Sequence, residues 1–314
     1  MNEAVVLIKP HASSNARFRE EVEGALRASG LTVVRAGEYT GQQLREAGTV
    51  DAHYGTLAHR AMHVGPLALE RDLPPESLAK FEATFGVAWR EAAAEGRLVN
   101  LQRAIQVRLI KDLDAFASAW RSGTTLKLAP GTYVGAVDGL LVVNGFYGNM
   151  RNKFLEPDAR TAYYLVRWEE EALPWARFRA EVVGATDPAK ADPRSLRAKL
   201  LASWREWGMA VEPNSTFNGV HASASALEGS REINIWTPLA TTDTSLYRVA
   251  VKLGVDVRGE LPKWLKNQRV ETADGSAEGL AFDLCEDKGT EAVLTLIPKL
   301  PDAGVTKVQC CVVL

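Results

Sequence analysis

"AVVLIKPHASSNARFREEVEGALRASGLTVVRAGEY", residues 4–39, decides the fold class. Residues 4–9 form a short apolar run ending at Lys9-Pro10, as expected of a buried strand. Residues 15–29 put Phe18, Val22, Ala25 and Leu26 on one helical face, with Ser13 or Ser14 available as a cap and Gly30 as the stop. "LTVVRAGEY" then alternates as a second strand, and residues 42–62 carry one or two short helices. The opening therefore reads β-α-β-α with short connections, which predicts an α/β chain.

The middle of the chain changes character. Pro74-Pro75 opens a helical stretch over 75–95 closed by Gly96, and another spans about 111–122. "TLKLAPGTYVGAVDGLLVVNG" reads as short strands, with Asp138-Gly139 as a hairpin turn. From residue 161 "TAYYLVRWEE" is again a strand, and "PWARFRAEVVG" and "PRSLRAKLLASWREW" are helices with Pro near their starts. "STFNGVH" is short and extended, and a helix resumes over 224–236. Further helices are expected around 244–268 and 277–296, followed by a flexible tail.

The bulk numbers agree with a soluble globular protein: 314 residues, 46% hydrophobic and 24% charged. A net charge of −2 supplies no global field for nucleic acid, so none is expected as a partner. The apolar runs are too short to span a bilayer, and "MNEAVVLIKP" has no leader character, so the chain reads as cytoplasmic. Three cysteines make no disulfide framework and no zinc spacing. There is no P-loop and no G-x-G-x-x-G.

Four separated stretches together resemble the nucleoside diphosphate kinase family. "LIKPHA" at 7–12 is similar to its opening strand and Lys-Pro signature, and "HYGTLAHR" at 53–60 to its His-Tyr-x-x-Leu helix. "VVGATDPAKADPRSLR" at 182–197 resembles the Gly-x-Thr-x-Pro…Pro-Gly-Thr-Ile-Arg stretch. "NGVHASASALEGSREINIW" at 218–236 resembles Asn-x-x-His-Gly-Ser-Asp-Ser and the Arg-Glu-Ile helix after it. The order is kept, and the pieces cover about half of the chain.

The resemblance implies a ferredoxin-like βαββαβ core with an antiparallel sheet, built from 1–62 and 161–236. An α+β insertion would occupy 63–160, a helical extension 237–302, and a tail 303–314. It implies that His221 is a phosphohistidine nucleophile, with Glu232 and Ser223 holding its imidazole. Asn218 would contact the nucleotide sugar, Lys9, Tyr54, Thr186 and Arg197 the phosphates, and Arg60 the base and phosphate cleft. Nucleoside di- and triphosphates are then the partners, and Mg²⁺ rides on their phosphates rather than in a protein cage. A neutral imidazole suits such a reaction because it attacks at pH 7 without a base.

The departures are as informative. Counting back from Gly184, a phosphate-binding arginine of the family falls on Ala180, with Arg179 one step away. Arg194 and Ala224 stand where the family has Gly and Asp. The base-stacking residue falls on Met62, or on Phe146 or Tyr147 if the insertion starts earlier. About eighty extra residues follow Arg60 and about eleven follow Arg197, so the oligomeric state is left open.

Plainer readings exist for each residue taken alone. His221 could be a hydrogen-bonded histidine at a strand end, Lys9 a solvated strand end, Tyr54 a core aromatic and Arg197 a surface charge. His11, His53, His59 and His63 cluster in sequence, but only His59 and His63 have i,i+4 spacing, and no ligand partner follows. The ending "QCCVVL" has the form of a C-a-a-X box: Cys311 would be prenylated and Cys310 could take a second lipid, attaching the protein to a membrane. The alternatives to the kinase are a catalytically weak nucleotide-binding module held at a membrane, and a phosphotransferase acting on protein or a non-standard nucleotide.

Overall fold

The structure, a computed structural model, describes residues 1–108, 110–129 and 131–300. Strand β1 (Asn2–Ile8) is buried along its whole length because both of its faces are covered. Helix α1 (Ala16–Ala28) follows, then β2 (Thr32–Thr40) and, after a short helix at Gly41–Glu46, α2 (Thr49–Met62). Asn15, rather than Ser13 or Ser14, caps α1: its Oδ1 accepts from Phe18 N at 2.9 Å. Ser13 Oγ is occupied by the backbone N of Ala162, 3.1 Å away, so it ties the loop to the sheet instead.

Residues 98–143, within the stretch expected as an insertion, build a second sheet of β3 (Leu98–Asn100), β4 (Thr125–Ala129), β5 (Thr132–Val137) and β6 (Leu140–Val143), in the order β3-β6-β5-β4. The Asp138-Gly139 hairpin is present, with both residues at positive φ, 48° and 76°. The stretch 75–95 is two helices, Pro75–Phe85 and Trp89–Ala94, because Gly86 breaks it at φ 69°. Helix α3 (Tyr147–Leu155) returns the chain to the core.

The core sheet is completed by β7 (Arg160–Trp168) and β8 (Val220–Ala222), with α4 (Leu196–Ser203) between them and α5 (Ala226–Trp236) after. Its order is β2-β7-β1-β8 and every pairing is antiparallel. That is the ferredoxin-like arrangement, and the fold is α+β. The alternation of β1 explains the layers. Val6 and Ile8 join Phe18, Val22 and Leu26 in one apolar cluster, while Val5 and Leu7 join Val50, Phe154 and Trp236 in another. Val5, Val6, Leu7 and Ile8 are fully buried, which contributes about 2 kcal/mol each.

Two long C-terminal helices were expected, and the chain instead forms four short ones, Ser245–Lys252, Glu260–Leu265, Ala281–Cys285 and Thr290–Leu296. A ribbon of β9 (Arg269–Glu271) and β10 (Glu278–Leu280) lies among them. Left-handed backbone at Gly254, Asn267, Gly275 and Asp287 interrupts the helical pattern. This segment packs into the core, since Leu246, Leu261, Trp264 and Leu294 share the cluster of Phe18. Cys310 and Cys311, with the rest of the C-a-a-X reading, lie outside the described residues. No helix of the described residues is long and apolar enough to cross a membrane.

Helix α5 meets β1 with no side chain between them. A Cβ at Gly229 would stand 2.3 Å from the carbonyl oxygen of Glu3. Gly229→Ala is therefore expected to lower stability by about 2 kcal/mol or more, read as a reduced urea midpoint with an unchanged slope.

Candidate active site

His221 lies on β8, opposite Leu7 of β1. Its neighbour Val220 is fully buried on one face, and the strand's alternation turns the imidazole to the other, where its side chain keeps 24% exposure. The chain then turns through Ser223 to Ser225. Ser225 caps α5 by accepting from Glu228 N, and Ser223 Oγ accepts from Val5 N at 3.0 Å. This turn brings Glu232 back under the ring.

The Glu232 carboxylate is 3% exposed and fully engaged. Its Oε1 is 2.8 Å from His221 Nε2, and its Oε2 accepts from Ser223 Oγ at 2.6 Å. A carboxylate accepts, so His221 Nε2 carries the proton and Nδ1 keeps its lone pair. Burial, reinforced by the charges of Lys9, Arg197 and Arg179 and opposed by Glu228, lowers the His221 pKa to about 3. The ring is neutral at pH 7. Burial also pushes the pKa of Glu232 up, against the pull of its neighbours.

His221 borders a cavity of about 580 Å³ lined by Arg179, Thr186, Arg197 and Glu228, among others. Arg197 donates to Gly184 O at 2.8 Å and Val220 O at 2.9 Å, and its Nε is buried without a partner among the described residues. Burial and the nearby Arg179 charge lower its pKa to about 10. Asn218 is 2% exposed; its Nδ2 donates to Thr186 O at 3.0 Å, and its buried Oδ1 has no partner among the described residues. Lys9 is half-buried, with Nζ 3.4 Å from Thr216 O. Burial, and then the Arg197 charge, lower its pKa to about 7. Arg179 and Arg197 thus line the cavity beside His221, with Lys9 close enough for its charge to act on the ring, amid the carboxylates of Glu181, Asp192, Glu228, Glu286 and Asp287.

Arg179 reaches the cavity through a wide π-helical turn, Phe178–Val183, in which Gly184 N bonds Arg179 O at 2.9 Å. Such a turn holds one more residue than an α-turn. Arg179 and Ala180 both line the cavity.

Other expected residues are placed differently. Tyr54 and His53 line a smaller cavity of about 250 Å³ on the other side of His221. Burial raises the Tyr54 pKa above its ordinary value. Arg60 turns into the insertion, where it donates to Thr132 Oγ1, and does not line the His221 cavities. Tyr147, Phe146 and Met62 pack in the apolar cluster of Trp120 and Val142, so none of the three is presented to those cavities as a stacking surface.

The four clustered histidines disperse. His53 sits edge-on to His221 with ring centroids 4.5 Å apart, His11 Nε2 accepts from Gly219 N at 3.0 Å, and His59 pairs with His63. His53, His221 and Glu232 bring three potential ligand atoms within 4.8 Å of one another. The His53 Nδ1 already accepts from the Trp236 indole at 3.1 Å, and Glu232 is committed to His221 and Ser223. His53 and the His221–Glu232–Ser223 set are thus held by separate hydrogen bonds.

Sequence reasoning missed three groups. Glu228 lines both cavities; its Oε2 accepts from Ala224 N at 2.7 Å, and burial with the nearby Glu232 raises its pKa to about 6. Ser225-x-x-Glu228 has the capping-box pattern that could have marked it. His53 stood beside Tyr54 in a stretch already singled out. Glu286 and Asp287 carried no local signal. Backbone bonds from Asp287 N to Ala224 O and from Ala226 N to Lys288 O bring them to the cavity. There they bind Arg179 Nη1 at 2.9 and 2.7 Å.

No protein-family model matches the chain, and no curated protein matches it. Among solved structures, the chain is similar to the nucleoside diphosphate kinase of Encephalitozoon cuniculi, at 12% identity over 79% of this chain and 99% of that one, with a TM-score of 0.37. It is similar to a nucleoside diphosphate kinase family protein of Babesia bovis at 14% identity, over 79% and 99% of the two chains, with a TM-score of 0.36. An NDP kinase of Pyrobaculum aerophilum follows at 15%, over 75% and 94%, with a TM-score of 0.35. At this distance the likeness assigns no activity.

The carboxylates on Arg179 compete with any bound anion. Neutralising them with Glu286→Gln and Asp287→Asn is expected to tighten triphosphate binding by about tenfold, read by calorimetry. Unchanged affinity would mean that Arg179 does not meet the anion.

Proposed function

We propose that this protein is a phosphotransferase of the nucleoside diphosphate kinase type, working through phospho-His221. The observation that carries the reading is the His221–Glu232 pair: Nε2 is held at 2.8 Å, which leaves Nδ1 as the nitrogen of a neutral ring without a partner among the described residues, beside a cavity that holds Arg179 and Arg197. In the first half-reaction Nδ1 attacks the γ-phosphorus. The N–P bond forms as the bond to the β,γ-bridging oxygen breaks, and the diphosphate leaves. In the second, a terminal oxygen of another nucleoside diphosphate takes the phosphoryl group and the ring returns to neutral. Glu232 stabilises the positive charge that the ring acquires with the phosphoryl group attached.

Arg179, Arg197 and Lys9 would bind phosphate oxygens, Thr186 would donate a hydroxyl, and Asn218 Oδ1 would accept from the sugar. Positioning and charge neutralisation of this kind account for most catalysis of phosphoryl transfer. Mg²⁺ fits the donor set if it travels on the nucleotide: Glu228 is the lining carboxylate without a Lys or Arg ion pair among the described residues. When bound, the ion would neutralise charge on the leaving diphosphate.

A second reading, a nucleotide-binding module of low turnover, is favoured by the ion pairs that Glu286 and Asp287 place on Arg179. One experiment separates the two. Incubation with γ-labelled ATP and Mg²⁺ is expected to give an acid-labile, base-stable phosphoenzyme that GDP chases into GTP. His221→Ala should abolish it, and Glu232→Gln should slow its formation by about a hundredfold or more. Nucleotide binding without labelling would establish the module; labelling that survives His221→Ala would remove His221 as nucleophile.

A further inference from the structure

A separate cavity of about 510 Å³ lies between the core and the insertion, lined by His11 and Phe217 on one side and by Asn149 and its neighbours on the other. Asn149 is 3% exposed. Its Nδ2 donates to the Asp114 carboxylate, and this fixes the orientation of the amide. Its Oδ1 is then a buried acceptor with no partner among the described residues. A buried acceptor left unpaired in a native protein calls for an explanation, and an absent ligand donor is one.

The cavity adjoins the proposed nucleotide site along two chain segments. Pro10 and His11 line it directly after Lys9, and Phe217 lines it directly before Asn218. Lys9 N bonds Gly219 O at 2.8 Å, and His11 Nε2 accepts from Gly219 N, so the two segments are locked side by side. Asn218 faces the other way, bonding Thr186 O on the wall of the His221 cavity. The proposed nucleotide site and this cavity therefore share those two chain segments.

The lining suits a flat, uncharged group. Phe217 and His11 cross at 87° with centroids 5.3 Å apart, offering aromatic surface. Lys153 is already ion-paired to Asp114 and Glu156, so it is not free to hold a phosphate there. Burial, with the Lys9 charge, keeps His11 neutral at a pKa of about 3.

We propose that this cavity is a nucleobase subsite built by the insertion, and that Asn149 Oδ1 accepts from an exocyclic amino group of the base. The proposal rests on the nucleotide reading of the His221 site, and it goes beyond that reading by making the protein base-selective. The ligands that test it differ at that group and at the ring nitrogen beside it, which accepts in the amino bases and carries a proton in the oxo bases. Adenosine carries an amine where inosine carries a carbonyl, and cytidine and uridine differ in the same way.

Calorimetry on the full chain with these four free nucleosides needs no phosphoryl chemistry. Adenosine is expected to bind about tenfold more tightly than inosine, and cytidine than uridine. Asn149→Leu should erase both preferences while leaving inosine and uridine affinities unchanged. Phe217→Ala should weaken all four. Equal binding of adenosine and inosine to the unaltered protein would overturn the proposal without any variant, as would a preference that survives Asn149→Leu. These outcomes are independent of labelling at His221: selective nucleoside binding without phosphoenzyme would remove the kinase and keep the subsite. Phosphoenzyme formed equally from ATP and ITP would remove the subsite and keep the kinase.

Discussion

The structure around His221 depends on one contact, the 2.8 Å hydrogen bond between its Nε2 and the buried Glu232 carboxylate. The carboxylate can sit there only because α5 approaches β1 at Gly229 without a side chain in between. It stays oriented because Ser223 occupies its second oxygen, and Ser223 is itself bonded to Val5 of the central strand. Ring, carboxylate, serine and β1 therefore form one rigid unit. A chain that packs a helix backbone directly on a strand backbone limits what the ring between them can do. Here it leaves one imidazole nitrogen bonded and the other without a partner among the described residues.

The electrostatics follow from burial and from what surrounds that unit. Arg197, Arg179 and Lys9 place positive charge near a ring that is poorly solvated, which keeps the imidazole neutral. The same cations suffer from their own burial, as the lowered pKa values of Lys9 and Arg197 record. An anion would relieve that cost, so its binding and the charge state of the cluster are linked. The C-terminal segment already supplies part of this relief at Arg179 through Glu286 and Asp287. An appended segment thus takes part in the charge balance of the site.

Much of this was legible in the sequence, and the reason is local. The strand-helix-strand opening follows from apolar periodicity, and the ferredoxin-like antiparallel sheet implied by the resemblance is the one observed. The eleven-residue step from His221 to Glu232 required a bend, and Ser223–Ser225 provides it. What was not legible depends on distant contacts or on small changes of backbone geometry. The π-turn that carries Arg179 leaves no periodicity signal in six residues. Arg60 is a site residue only by the resemblance, and Thr132 draws it away. Met62, Phe146 and Tyr147 each looked able to stack on a base, and all three are drawn into the insertion's own core. The acids on Arg179 come from more than a hundred residues downstream.

The central claim is that His221 is neutral, protonated at Nε2 by virtue of Glu232, and bare at Nδ1. Imidazole ¹⁵N NMR on the full chain tests this most directly. The account predicts an Nε2–H tautomer whose signals hold constant between about pH 5 and pH 8, because burial takes the ring's titration far below its usual range. A ring that titrates near its ordinary value, or that carries its proton on Nδ1, would contradict it.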